Sequence, residues 1–195
     1  MKKSRTASRT QTIALCGLAI ALLTVASWIT VPLGPIPFTL QTFMLVFIAL
    51  ALAPHQAVIA VLGYLVLGTL GVPVFAGMSG GLASLLGPSG GFLSGFGIGA
   101  CLAAILLKVW REPEGKAAQY RRETCAAVII LSVSYLCGWL QLMVVADLAP
   151  MAAFLAGIAP FVIFDIIKAA VGIQLAHMLK AAVPALRNRT AKPRA

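Results

Sequence analysis

The chain has 195 residues, 61% of them hydrophobic and only 10% charged, with a formal net charge of +10. Soluble domains carry about 25% charged residues, so this composition excludes an ordinary soluble domain and describes an integral membrane protein. The positive charge does not read as a nucleic-acid surface, because it is gathered where a membrane chain keeps its basic residues. The clusters are Lys2, Lys3, Arg5 and Arg9; then Lys108, Arg111, Lys116, Arg121 and Arg122; then Lys180, Arg187, Arg189, Lys192 and Arg194. Lys168 stands apart. Basic residues near span ends stay cytoplasmic. Both termini and the middle loop are therefore expected inside, with an even number of crossings.

A spanning helix needs about 20 apolar residues. The first candidate is 12–31, after a basic tail at 1–10. Its basic start resembles a signal peptide, but the apolar run is longer than the usual h-region and reads as a retained helix. Within it Gly17 and Ala21 form a small-xxx-small pair suited to close approach of another helix. The run Pro32-Leu33-Gly34-Pro35-Ile36-Pro37 cannot be helical throughout and predicts an outer turn. Two short apolar segments follow, 38–53 and 56–70, divided by Pro54-His55. His55 is expected as a solvated loop residue.

Residues 71–91, GVPVFAGMSGGLASLLGPSGG, are rich in glycine, interrupted by Pro73 and Pro88, and uncharged. Irregular backbone at membrane depth is tolerated only where it is buried in protein or lines a cavity. Glycine also lets backbone N–H groups approach a ligand. The stretch is therefore expected as a lid or wall over a pocket. Gly91, Gly95 and Gly99 then repeat every four residues along a span at 91–108 and predict a close helix-packing face. Trp110 and the polar run after it predict a cytoplasmic loop over 109–124. A fifth span is expected at 125–146, with Asp147 at its outer end. A sixth runs over 160–182 with Pro160 as its first residue, followed by a basic tail at 183–195. The expectation is one all-α membrane domain with six transmembrane helices, a glycine-rich outer loop and both termini cytoplasmic.

The last span carries the unusual feature. Asp165 and Lys168 sit inside PFVIFDIIK, and intramembrane charges are rare and kept for a task. Three residues apart, they share one helix face. The alternatives are an internal ion pair and a ligand site. The other polar groups expected near their level are Thr39, Gln41, Ser79 and the backbone of the glycine-rich loop, Gly77 included. Trp28, Phe38, Phe75 and Phe92 are candidate walls. Such a mixture suits a small amphiphilic ligand with a carboxylate or an amide-like head. The four cysteines, Cys16, Cys101, Cys125 and Cys137, have no paired spacing and read as small apolar residues. The chain has no phosphate-binding glycine-lysine loop and no metal spacing, so neither ATP hydrolysis nor a metal cofactor is expected. Gly77-Met78-Ser79-Gly80 resembles the G-x-S-G of rhomboid intramembrane proteases. However, His177 lies nine residues past Lys168, about 13 Å along a helix, beyond the reach a general base needs.

Three segments together resemble the BioY family, the biotin-specific S components of energy-coupling factor vitamin transporters. They are VPLGPIPFTLQT (31–42), GVPVFAGMSGG with GPSGGF (71–92), and PFVIFDIIK (160–168). The resemblance implies a non-enzymatic membrane protein of the cell membrane that captures biotin from outside, with biotin as ligand rather than prosthetic group. It implies a transmembrane coupling subunit and two ATPase subunits as partners, with Gly17 and Ala21 meeting the coupling subunit. It also implies that Asp165 and Lys168 hydrogen-bond the polar ends of biotin, with Gln41 as a further contact. Ser89 stands where the family pattern has Thr, Phe92 where it has Tyr, and Phe164 where many relatives have Gly. The residues alone leave open an ion-coupled secondary transporter of a small carboxylate, and an intramembrane serine protease.

Overall fold

A computed structural model describes residues 2–32, 36–110 and 115–183, with side chains described from Arg9 onward. The apolar runs become helices and the Pro/Gly stretches divide them. The order is α1 (Lys2–Trp28), β1 (Thr30–Val31), β2 (Phe38–Thr39), α2 (Gln41–Ala51), α3 (Pro54–Thr69), a 3₁₀ turn (Ala76–Met78), α4 (Leu82–Leu86), α5 (Gly90–Val109), α6 (Lys116–Val145), α7 (Pro150–Gly157) and α8 (Val162–Ala182). Among the described residues, four helical stretches are long and apolar enough to cross a membrane: Arg9–Trp28, Gly90–Val109, Lys116–Val145 and Val162–Ala182. α2 and α3 are apolar but shorter. At 1.5 Å per residue they reach about 17 and 24 Å against a hydrocarbon core of about 30 Å.

α2 occupies the middle. Leu45, Val46, Ile48, Ala49, Leu50 and Ala51 are all buried there, with helices α1, α3, α5, α6 and α8 around them. The outer helices are apolar on the face that looks away from the protein. In α8, Ile163, Ile166, Ile167 and Met178 are each more than half exposed, whereas Asp165, Ala169, Gly172, Ala176 and Lys180 are buried. This inverted amphipathy, with charges in and isoleucines out, suits a lipid surrounding. α1 behaves likewise. Cys16, Ala19, Leu23 and Ala26 face the core at helical spacing, and Gly17 and Ala21 lie on the exposed side.

The glycine repeat does what its spacing predicts. A Cβ on Gly91 would lie 2.3 Å from the Cys137 carbonyl oxygen, one on Gly95 2.5 Å from Ser134 Cα, and one on Gly99 3.0 Å from Ile130 Cα. α5 and α6 therefore meet backbone to backbone along this seam. Reciprocally, Gly138 of α6 leaves space for the Phe92 ring.

The helix boundaries differ from the expectation at five places. First, α1 ends at Trp28 and α2 starts at Gln41. Thr30–Val31 pairs antiparallel with Phe38–Thr39, and the Leu40 N–H donates to Ala26 O. This small hairpin ties the two helix ends together, and residues 33–35 of its turn lie outside the described residues. Second, the supposed inner loop 109–124 is helical from Lys116, with 111–114 outside the described residues. Arg122 and Glu123 are buried. The Arg122 guanidinium donates to Leu107 O, and Glu123 is met by Lys180 at 3.3 Å and by His177. Charges that find such partners can be enclosed. Third, Lys180, grouped by sequence with the last basic cluster at the inner end of the 160–182 span, is enclosed in this buried group; residues 184–195 lie outside the described residues. Fourth, Pro160 does not start the last helix. It lies in a turn after α7, where the Phe161 N–H donates to Ile158 O, and α8 starts at Val162. Finally, His55 is exposed as expected, but in the first turn of α3. The four cysteines are free, and only Cys16 is fully buried.

The seam gives a direct test. Gly95→Ala forces a backbone shift against Ser134 and is expected to cost about 2 kcal/mol, read as a fall of several degrees in thermal unfolding of the detergent-solubilised protein. Gly17→Ala, with nothing within 4 Å of its new Cβ, is expected to leave the midpoint unchanged or slightly raised.

Candidate functional site

The glycine-rich stretch is pinned, not free. Three donors converge on one turn of it: Tyr64 Oη and Ser27 Oγ both donate to Val74 O, at 3.0 and 2.5 Å, and Trp28 Nε1 donates to Pro73 O at 2.9 Å. Phe75 is thereby pressed inward, edge-on to Tyr64 with ring centroids 5.4 Å apart. A Cβ on Gly68 would lie 2.0 Å from the Phe75 ring, so that glycine makes the approach possible. Gly77 and Met78 both adopt positive φ, +65° and +57°, which turns the chain so that the Phe75 N–H can reach Ser79 O. Further on, Gln141 Nε2 donates to Leu85 O and Gly87 O at 2.7 and 2.8 Å, fastening the far limb to α6.

Beneath this loop is a cavity of about 120 Å³, far more than one water requires. Its apolar walls include Phe38, Phe75, Phe92, Phe96 and Phe161. Its polar face is built around Asp165, which is buried. Oδ1 accepts from Lys168 Nζ at 2.8 Å and from Thr42 Oγ1 at 2.8 Å, and Oδ2 accepts from Tyr135 Oη at 2.6 Å. Lys168 Nζ also donates to Thr39 O at 2.6 Å and, at longer range, to Thr42 Oγ1 at 3.4 Å. The ammonium lies 3.8 Å from the centroid of the Phe38 ring, a cation–π contact. Next to it, Thr39 Oγ1 donates to Gln41 Oε1, and Gln41 Nε2 donates to Tyr64 Oη at 2.6 Å. A continuous chain of hydrogen bonds thus runs from Gln41 through Tyr64 to the Val74 carbonyl of the loop.

Of the residues expected at the site, Thr39, Gln41, Phe75, Ser79, Phe92, Asp165 and Lys168 all line the cavity, as does Phe38. Gly77 and Trp28 do not. Gly77 serves the turn, and Trp28 spends its indole N–H on the loop backbone from outside the cavity. Gly17 and Ala21 are remote from it, on the exposed face of α1. Thr42, Ser89, Phe96, Tyr135 and Phe161 line the cavity and were missed by sequence reasoning. Thr42 ends the quoted TLQT segment. Tyr135 is a lone phenol in an apolar span, where a buried hydroxyl needs a partner. Ser79 Oγ donates to Ala76 O, and His177 pairs with Glu123 far along α8, so the two are not arranged as nucleophile and base.

The arrangement holds a carboxylate and an ammonium in an apolar enclosure, each satisfied by the other and by neighbours on α2 and α6. Lys168→Ala would leave a buried carboxylate without its cation. A loss of about 3–5 kcal/mol is expected, measured as thermal unfolding of the ligand-free protein. The neutral pair Asp165→Asn with Lys168→Met is expected to recover most of that loss.

The sequence profile of the BioY family matches residues 1–185. The chain is 36% identical over 168 residues to the "probable biotin transporter BioY" of Pyrococcus horikoshii, covering 86% of this chain and 95% of that protein. It is 38% identical over 165 residues to the biotin transporter BioY of Thermotoga maritima, covering 84% and 92%. Among solved structures it is similar to the crystal structure of the S component for biotin from an ECF-type ABC transporter. The TM-score is 0.81 at 22% identity, over 89% of this chain and 93% of that one, a likeness of fold. With a family match running through nearly all of its length, the chain belongs to the BioY family.

Proposed function

We propose that the protein is the biotin-binding S component of an energy-coupling factor transporter and serves biotin uptake. The observation that carries this reading is the Asp165 carboxylate, held by three donors at the edge of an aromatic-walled cavity, in a chain of the BioY family. The ureido ring of biotin offers two N–H donors and one carbonyl. Asp165 is a matching acceptor, and Gln41 and the lining hydroxyls are matching partners. The aromatic walls suit its fused ring and aliphatic tail.

In this reading the chain binds and translocates and has no catalysis of its own. α2 and α3 complete six crossings as short helices sheltered by longer neighbours, with both termini cytoplasmic and biotin entering under the glycine-rich loop from the outer side. The exposed small residues Gly17 and Ala21 on α1 meet a transmembrane coupling subunit, and two ATPase subunits supply the energy. The setting is the cell membrane.

Equilibrium binding to purified protein tests the core of the reading. Saturable binding at micromolar biotin or below is expected, and its absence would sink the proposal. Asp165→Asn and Lys168→Ala are each expected to weaken binding by at least about tenfold, the scale of one charge-assisted hydrogen bond; normal affinity in both would refute the site. Uptake in cells is expected to require ATP and to survive collapse of ion gradients. The opposite result would favour an ion-coupled transporter.

A further inference from the structure

A second opening lies on the outside of the helix bundle, away from the cavity. It is a groove of about 460 Å³ between α3 and α5. Leu62 and Leu65 of α3 line one wall, and Gly97, Ile98, Cys101 and Leu102 of α5 line the other. Gly97 lets the two helices approach, since a Cβ there would lie 2.9 Å from Leu65 Cδ1. Leu62, Ile98 and Leu102 are all exposed, so the groove opens to whatever surrounds the protein. In an apolar spanning helix that surrounding is lipid, and a groove left unfilled there forfeits its dispersion contacts. Apolar walls alone do not choose an occupant. The charges at one end of the groove do.

Lys108 stands seven residues past Cys101 and eleven past Gly97, spacings that keep residues on one helix face. It is therefore in line with the groove. Ten residues separate it from Ile98, about 15 Å of helix, which is half the thickness of the hydrocarbon core. Between them the outward face of α5 stays apolar, with Ile105 more than half exposed. Just past Lys108, Trp110 holds the Arg121 guanidinium 5.9 Å from its ring centroid. Tryptophan suits the level of lipid headgroups, and a guanidinium stacked on a ring keeps its N–H donors for a phosphate. Lys108 and Arg121 are exposed and have no hydrogen-bond or ion-pair partner among the described residues. Glu123, the next acid along α6, is taken by Lys180 and His177. Over 108–121 the sequence carries Lys108, Arg111, Lys116 and Arg121 against Glu112 and Glu114, so this end is net positive.

We infer that the groove between α3 and α5 is a binding site for an anionic phospholipid of the leaflet on the Lys108 side. Its phosphate meets Lys108 and Arg121, and one acyl chain runs past Ile105 into the groove as far as Ile98. A basic pocket beside spanning helices recognises such headgroups, and the depth from Lys108 to Ile98 matches the reach of a chain within one leaflet. The site is separate from the cavity under the glycine-rich loop and stands apart from the biotin reading.

The test uses full-length protein in detergent, titrated with phosphatidylglycerol or with phosphatidylcholine of the same acyl chains, and bound lipid is counted by native mass spectrometry. Phosphatidylglycerol is expected to bind at least about fivefold more tightly, the scale of one basic residue beside an anionic headgroup. Lys108→Gln with Arg121→Gln, both on the surface, is expected to bring the two lipids within about twofold of each other. In wild-type protein, saturating phosphatidylglycerol is expected to slow alkylation of Cys101 by N-ethylmaleimide at least about fivefold relative to Cys137, because a covered thiol does not react. Equal affinity for the two lipids overturns the assignment, as does a preference that survives in the double variant. Unchanged alkylation of Cys101 at saturating lipid overturns the seating of the chain in the groove. Protection that follows protein concentration without added lipid assigns the face to a second copy and overturns the lipid site.

Discussion

A carboxylate and an ammonium enclosed among phenylalanines set the terms for this protein. Either charge alone would be strongly unfavourable in such surroundings, and even the pair needs its remaining hydrogen-bonding capacity met. That requirement recruits Thr42 from α2, Tyr135 from α6 and the Thr39 carbonyl from the hairpin, so four elements are registered against one another by a single cluster. The helices around it are otherwise apolar, and in lipid apolar contact does little to choose one register over another. The polar cluster supplies the direction that the hydrophobic surfaces lack.

The second constraint is steric. The α5–α6 seam works because glycine removes every Cβ that would separate the backbones, and the same seam sets Phe92 and Tyr135 at one level of the cavity. The loop above is positioned by donors as well as by the packing of Phe75: Ser27, Tyr64 and Trp28 at one limb, Gln141 at the other. Gln41 at the cavity and the Val74 carbonyl of the loop are therefore connected through Tyr64.

Much of this was legible in the residues. The glycine repeat, the rare charges and the charge-free glycine-rich stretch each depend on local chemistry that a sequence displays. Short-range pattern failed where a long-range partner decided the outcome. Arg122 and Glu123 fall in the expected cytoplasmic loop 109–124, because nothing local shows that α6 runs through them and that Glu123 meets Lys180 of α8. Trp28 read as a cavity wall because its level was right, but its indole N–H had a carbonyl to satisfy elsewhere. Tyr135 was hidden because one phenol in an apolar run has no neighbour in sequence to betray its partner. Pro160 fits a helix start by type, yet Phe161 turns inward against Phe38, and the helix begins only after it.

The buried group formed by Glu123, His177 and Lys180 gives α8 a second anchorage. Asp165 and Lys180 are both on this helix, fifteen residues or about 22 Å apart, and each is bonded to α6. α8 is thus a bar bolted at two points to one neighbour. A tilt of about 5° about either bolt would carry the other through about 2 Å, enough to break a hydrogen bond. Rigid rocking of α8 against α6 therefore costs hydrogen bonds at one end or the other.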